Sequence, residues 1–135
     1  MLRTVSSLAI LCALTAFPAC GASDFPCGNT VTSSLPSPGG TRTAVLFERG
    51  CGAMTSRAGV GLSILEGGDS TPSLLEKSNV YLNDNQGSVL NRAPTAITAE
   101  WKADTLLVIG QHADAHVVYA AIRFRGVTIQ YDTLR

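Results

Sequence analysis

Short apolar segments with the two-residue periodicity of β-strands, separated by turn-forming residues, constrain the fold of this chain more than any other feature. The alternation is clearest over residues 60–65 and 95–101, where every second residue is apolar and would share one face of a strand. Gly67-Gly68-Asp69 ends the first of these segments, and Arg125-Gly126 is a two-residue hairpin signal. Only residues 73–77 suggest a helical turn. The sequence therefore predicts an all-β fold.

We expect about seven short strands, and sequential antiparallel pairing in a meander is the simplest topology for them. They are predicted at residues 41–48, 60–65, 79–82, 95–101, 105–109, 117–124 and 127–131. Such a series folds into a sandwich or a strongly curled sheet. Residues 83–87 are predicted to be a turn, and residues 28–40, rich in Ser, Thr, Pro and Gly, a loop or linker. Residues 23–40 would then be a flexible tether or loop before a single all-β domain over residues 41–135.

The first twenty residues predict export. Met1-Leu2-Arg3 supplies a positive charge, residues 6–17 form an uncharged and mostly apolar run, and small residues follow. These are the parts of a signal peptide, which we place at residues 1–22. The apolar run is shorter than the roughly 20 residues of a transmembrane helix.

Phe17-Pro18-Ala19-Cys20 resembles the lipobox of bacterial lipoproteins. That resemblance implies cleavage before Cys20, a lipid on its thiol and attachment to a membrane in the cell envelope, at its periplasmic face. The alternative is ordinary cleavage after Ala22, which would release a secreted protein.

Two cysteines remain for the folded domain, because Cys12 lies in the apolar run and Cys20 is the lipidation candidate. An even pair in an oxidising compartment predicts a disulfide between Cys27 and Cys51. A metal site built on this pair would lack nearby His or further Cys ligands.

The net charge and the length of the exported chain restrict the functions that it can have. Arg3 is one of ten Lys and Arg residues, so nine remain after export against ten Asp and Glu residues. A nearly neutral surface argues against nucleic acid as a partner, because phosphate binding needs clustered basic side chains. The roughly 115 residues that remain are enough for one domain with one core.

One cluster contains candidate metal ligands: His112, Asp114 and His116. On an extended strand, residues two apart share a face and would converge on one ion. The competing interpretation is a solvated turn between two strands, which would spread these side chains apart.

Three weaker candidates have structural alternatives. Cys51, near Glu48 and Arg49, is a candidate nucleophile, but no general base can be placed beside it. The small residues of segments 50–55 and 59–61 would let a ligand or glycan approach, or mark a tight bend or bulge. The aromatic residues would form a platform for sugars or peptides, or belong to the core and its rim; they are Tyr81, Trp101, Tyr119, Phe124 and Tyr131.

Three motifs carry a resemblance. Ser37-Pro38-Gly39-Gly40 followed by an apolar strand resembles the SPDG turn that opens blades of periplasmic β-propellers, with Gly39 where an aspartate is usual. Trp101-Lys102-Ala103-Asp104-Thr105-Leu106 resembles the hairpin of such blades, and residues 126–131 resemble a terminal strand. With Glu48-Arg49-Gly50-Cys51-Gly52-Ala53 between them, the chain is similar to a family of small bacterial envelope proteins and lipoproteins. The resemblance implies an architecture and an envelope location, and no reaction. Seven strands are too few to close a propeller.

The sequence thus favours a non-enzymatic envelope protein without a cofactor, with a binding or structural role towards an envelope protein or a glycan. One alternative is a metal-dependent protein or enzyme that uses His112, Asp114 and His116. Another is an accessory subunit that adds a strand to a larger envelope protein through an exposed edge.

Overall fold

The computed structural model describes residues 27–51, 57–67, 69, 78–85 and 95–134, and within these ranges the chain is all-β without a helix. The strands are β1 (Cys27–Pro36), β2 (Arg42–Cys51), β3 (Arg57–Glu66), β4 (Tyr81–Asp84), β5 (Ile97–Ala103), β6 (Leu106–His112), β7 (His116–Ala120), β8 (Arg123–Phe124) and β9 (Val127–Leu134). The predicted fold class is confirmed. The predicted signal peptide, the Cys20 lipidation site and the helical turn near residues 73–77 lie outside the described residues.

The strands form two packed sheets. The five-stranded sheet has the order β1-β2-β3-β4-β7, and the four-stranded sheet has the order β5-β6-β9-β8. Buried side chains from both sheets join in one apolar cluster, whose members are Ala44, Leu46, Leu62, Ile64, Val80, Tyr81, Leu107, Ile109, Val127 and Ile129. The arrangement is a sandwich. The surface of the five-stranded sheet that faces away from the four-stranded sheet is called the outer face below.

The expectation of a simple meander is wrong in the second half of the chain. β1 to β4 pair in sequence, and so do β5 with β6. After β6, however, the chain crosses to the other sheet, where β7 pairs with β4. It then returns through Ala121, whose N–H donates to the Val80 carbonyl, and β9 pairs with β6 in parallel. Apolar alternation marks where strands lie but does not specify their partners, so it cannot predict this crossover.

The predicted loop over residues 28–40 is also wrong, because Cys27–Pro36 is the edge strand β1. Several of its Ser and Thr side chains face solvent at the sheet edge, while Leu35 packs against the core. Pro36 ends the strand, where its missing N–H costs no ladder bond. A solvated edge strand therefore has the composition of a loop, and only residues 37–41 connect β1 to β2.

Three predicted turns are confirmed. Arg125 and Gly126 have φ angles of 44° and 79°, the left-handed conformation that a two-residue hairpin turn requires. β5 and β6 are joined through Asp104 and Thr105, with Ala103 opposite Leu106. In the turn before β2, Gly40 has a φ of 72° and donates its N–H to the Ser37 carbonyl at 2.8 Å.

β2 is buried on both faces of the sheet. Ala44, Val45, Leu46 and Phe47 are all at most 8% exposed, the continuous apolar pattern of a strand covered on both sides. On the outer face Phe47 lies over Gly61, where a Cβ would come within 2.3 Å of the Phe47 ring. Close packing, rather than a bend or bulge, explains Gly59-Val60-Gly61, because the pairing of β2 with β3 is unbroken.

β4 extends into the segment predicted to be a turn, since Asn83 and Asp84 belong to the strand. Asn83 is fully buried. Its side-chain oxygen accepts the Val60 N–H at 3.0 Å, and its amide donates to the Tyr81 hydroxyl and to the Thr95 carbonyl. These bonds satisfy the buried side-chain amide of Asn83, which would face solvent in the predicted turn.

Candidate functional site

The motif residues of the resemblance meet at one end of the sandwich. Asp104, in the β5–β6 turn, accepts the Gly39 backbone N–H at 2.7 Å. Trp101 on β5 donates its indole N–H to the Leu35 carbonyl on β1 at 2.9 Å. The Gly39 N–H, followed by the Ser37 hydroxyl, lowers the pKa of Asp104 below its ordinary value. These contacts join the two sheets.

Arg42 extends this set of contacts. Its Nε lies 2.8 Å from Glu66 Oε1, and its other nitrogens donate to the carbonyls of Asp104 and Arg125 at 3.2 Å each. Arg125 in turn pairs with Asp69 at 2.8 Å, and the pKa of Asp69 is lowered, chiefly by the Glu66 backbone N–H that it accepts. We call Ser37, Gly39, Arg42, Glu66, Asp104 and Arg125 the end clamp. The polar groups of the end clamp form hydrogen bonds and ion pairs with one another, so we assign the end clamp a structural role.

The histidine cluster does not form one site. His112 ends β6 and accepts the Asp114 backbone N–H at Nδ1, and Asp114 lies in the turn. His116 begins β7 and contacts Asp84 on β4, with 2.7 Å between Nδ1 and Oδ1. Within the described ranges, no group of three His, Cys, Asp or Glu side chains is arranged to hold a metal ion. The segment between β6 and β7 is therefore a solvated turn, as the competing interpretation predicts.

The two cysteines of the predicted disulfide are backbone neighbours. Cys27 begins β1, Cys51 ends β2, and they are directly opposite in the antiparallel register. Opposite residues have Cα atoms about 4.5–5.5 Å apart, within the range of about 4.4–6.8 Å that a disulfide spans. The bond remains a prediction.

Four of the aromatic candidates belong to the core or its margin. Tyr81 is fully buried, and its ring centroid lies 5.9 Å from that of Tyr131. Tyr131 donates its hydroxyl to the Ala121 carbonyl at 2.7 Å, and burial is the largest cause that raises its pKa to about 12. Trp101 and Phe124 pack against the core cluster. Tyr119, by contrast, is 47% exposed.

A row of register partners crosses the five-stranded sheet at the end away from the end clamp. It consists of Asn29, Arg49, Gly59, Asp84 and His116, each opposite the next. Register partners share a face, and Arg49 lies two residues after Phe47, so the row is on the outer face. A Cβ on Gly59 would lie 2.2 Å from the Asn83 carbonyl oxygen. Only glycine fits there, so the row has a gap in its side chains between Arg49 and Asp84.

That gap is part of a cleft of about 170 Å³. The described residues that line it are Arg49, Ala58, Gly59, Leu82, Asn83, Asp84 and Val118. Its floor is apolar and its rim has ionisable groups on two strands. The sequence does not predict this cleft, because the composition of residues 83–87 favours a turn and no local pattern places Arg49 near β4.

The second candidate surface is β7, the last strand of the five-stranded sheet. All five of its residues are exposed. Val117, Val118 and Tyr119 are 36%, 52% and 47% exposed, and Ile122 just beyond the strand is 78% exposed. We call these four residues the β7 edge. The run of uncharged β-formers after His116 was the available sequence signal, but its position at the sheet edge depends on the crossover.

No helix among the described residues has the length and apolar character needed to cross a membrane. The chain matches no protein-family model, no characterised protein and no solved structure.

Proposed function

We propose that this protein is an exported, lipid-anchored binding domain without catalytic activity, which holds an extended segment of another envelope protein along the β7 edge. The observation that carries the proposal is an apolar strand, exposed along its whole length, at the end of the five-stranded sheet.

The backbone of β7 favours strand addition. It pairs with β4 on one side, and no other described strand pairs with it. An edge strand presents unpaired N–H and C=O groups, which proteins usually protect with Lys, Pro or a covering segment. β7 has neither Lys nor Pro, and its first residue, His116, is bonded to Asp84. A partner strand would therefore find both hydrogen-bonding groups and apolar side chains.

The exposed area favours an extended segment over a second copy of this chain. The four side chains of the β7 edge are 36–78% exposed. Even a complete aromatic side chain buries only about 150–250 Å², so the exposed parts of these four side chains offer less area than a stable interface between folded proteins needs. Such an interface buries about 800 Å² on each partner. Strand addition needs less area, because main-chain hydrogen bonds supply much of the affinity. Since the β7 edge lacks charged side chains, we expect an apolar, uncharged partner segment.

The N-terminal sequence supports the location. The apolar run and the Phe17-Pro18-Ala19-Cys20 motif are the basis for export and for a lipid on Cys20. An anchor of this kind would keep the β7 edge among envelope proteins at the membrane surface.

The proposal can be tested by photocross-linking in cells that produce the full chain. A photoreactive amino acid replaces Ile122, and Val118→Lys is compared with Val31→Lys, the same change at the β1 edge of the same sheet. Val31 is 43% exposed, similar to Val118 at 52%. We expect an adduct whose cross-linked residues fall in one extended segment of a partner. Val118→Lys should weaken binding of the partner about tenfold, a difference of about 1.4 kcal/mol, and so reduce the yield of the adduct. Val31→Lys should leave the yield unchanged.

Three results would contradict the proposal. They are an adduct that Val118→Lys does not affect, an adduct between two copies of this chain, and recovery of the free monomer alone.

A further inference from the structure

The outer-face cleft combines an apolar floor with a polar rim. Gly59, Leu82 and Val118 form the floor, and Arg49 and Asp84 stand on either side of the gap at Gly59. His116 extends the rim to β7 through its 2.7 Å contact with Asp84. The cleft is separate from the end clamp and shares Val118 with the β7 edge.

The rim can both donate and accept hydrogen bonds. A carboxylate has about four lone-pair sites and a guanidinium five N–H donors. Asp84 and Arg49 can therefore bond a ligand while they keep their contacts within the protein. The contact of Asp84 with His116, and the places of Asp84 on β4 and Arg49 on β2, hold the two groups on opposite sides of the gap.

Charge and size restrict the ligand. Arg49 and Asp84 carry opposite charges, so the rim has no excess of positive charge to hold a phosphate or a carboxylate. A cleft of about 170 Å³ is smaller than the about 300–1,000 Å³ of sites for drug-sized molecules. A single neutral ring is the appropriate size.

We propose that this cleft binds one pyranose ring of an envelope glycan. A sugar ring has an apolar C–H face and a rim of hydroxyl groups. The C–H face would lie on Leu82 and Val118, and two adjacent hydroxyls would meet Asp84 as acceptor and Arg49 as donor. Gly59 carries no side chain that could cover the cleft between the two rim groups, and the Asn83 carbonyl oxygen lies beside it.

The inference can be tested by titration of the isotope-labelled full chain, with backbone amide chemical shifts as the signal. The probes are glucose and N-acetylglucosamine, with inorganic phosphate and glycine as charged comparators. We expect either sugar to shift the amides of Gly59, Leu82, Asp84 and Val118 with a millimolar Kd, about −4 kcal/mol. Asp84→Asn should weaken that binding about tenfold, as the loss of a charge-assisted hydrogen bond does.

Two variants serve as controls. Glu100→Gln removes an exposed carboxylate of the other sheet and should bind sugar as the unchanged protein does. Arg49→Gln tests the opposite side of the rim and should also weaken sugar binding. It keeps the inference testable if Asp84→Asn disturbs the fold. The inference is overturned if neither sugar shifts these amides, or if phosphate or glycine shifts them more strongly. Because the titration contains no partner strand, its outcome does not depend on strand addition.

Discussion

Gly39 and Asp104 join two turns that belong to different sheets. Asp104 in the β5–β6 turn accepts the Gly39 N–H at 2.7 Å. A Cβ on Gly39 would lie 2.6 Å from Asp104 Oδ2. Glycine at position 39 and aspartate at position 104 are therefore a matched pair.

We expect Gly39→Ala to lower the free energy of unfolding by a small, measurable amount, because the new methyl group displaces the Asp104 carboxylate from its hydrogen bond. Urea denaturation would measure the loss. Gly28→Ala is the control, since a Cβ there meets nothing within 4 Å and should be neutral or slightly stabilising. Equal effects of the two substitutions would show that the Gly39–Asp104 contact contributes nothing.

Tyr131 gives the protein a pH dependence in the alkaline range. Burial first, and then the nearby phenols of Tyr81 and Tyr119, raise its pKa from 10.0 to about 12. A raised pKa in the folded state means that the neutral phenol is favoured there. Its contribution to stability is complete below about pH 10 and is lost as the pH rises through about 12.

We therefore expect the free energy of unfolding to fall between about pH 10 and 12, and Tyr131→Phe to flatten that decline because the unfolded chain then has one phenol fewer to ionise. Urea denaturation at a series of pH values provides the slope. The exposed ring of Tyr119 provides the control, and Tyr119→Phe should change the slope less. A slope that is identical in Tyr131→Phe and the unchanged protein would contradict the assignment. The absolute stability of Tyr131→Phe will also fall, through loss of the bond to Ala121, and does not decide the question.

At the scale of elements, the sequence predicts strands and turns well and their partners poorly. Strand periodicity and turn residues are local, so β3, β5, β6 and the Arg125-Gly126 hairpin follow from the pattern. The crossover that places β7 on β4 and β9 beside β6 depends on which edge is free in three dimensions. No local pattern contains that information. β1 was missed for a different reason, because a solvated edge strand and a loop have similar composition.

The candidate sites were predictable only in part. His116 stood out in the sequence, but with His112 and Asp114 as its expected neighbours. Its neighbour in the fold is Asp84, 32 residues away in the chain, which only the pairing of β4 with β7 brings into contact. Strand addition needs an exposed edge, which the sequence does not locate, and the structure supplies β7 as the edge on which it can be tested.

For the whole molecule, the position of Cys27 links the predicted disulfide to the predicted anchor. A lipid on Cys20 would be seven residues from Cys27, at most about 25 Å along an extended chain. Any force from the membrane would then act on the first residue of β1, an edge strand that pairs with β2 and with no other described strand. A bond from Cys27 to Cys51 would pass that force directly to the end of β2, which pairs with strands on both sides.

Intact mass spectrometry of the native protein tests both modifications together. We expect the mass of a chain that begins at an acylated Cys20, reduced by about 2 Da for a disulfide, which two thiols form by passing two electrons and two protons to a disulfide-bearing oxidant. On the chain-entropy model, closing a loop of about 25 residues stabilises the fold by about 3.5 kcal/mol. Reduction should therefore lower the free energy of unfolding, and a Cys27→Ser/Cys51→Ser variant should not respond to reductant. A chain that begins at Ser23 would show release without a lipid. Free thiols in the exported protein would refute the disulfide and leave β1 held to the sheet by its pairing with β2.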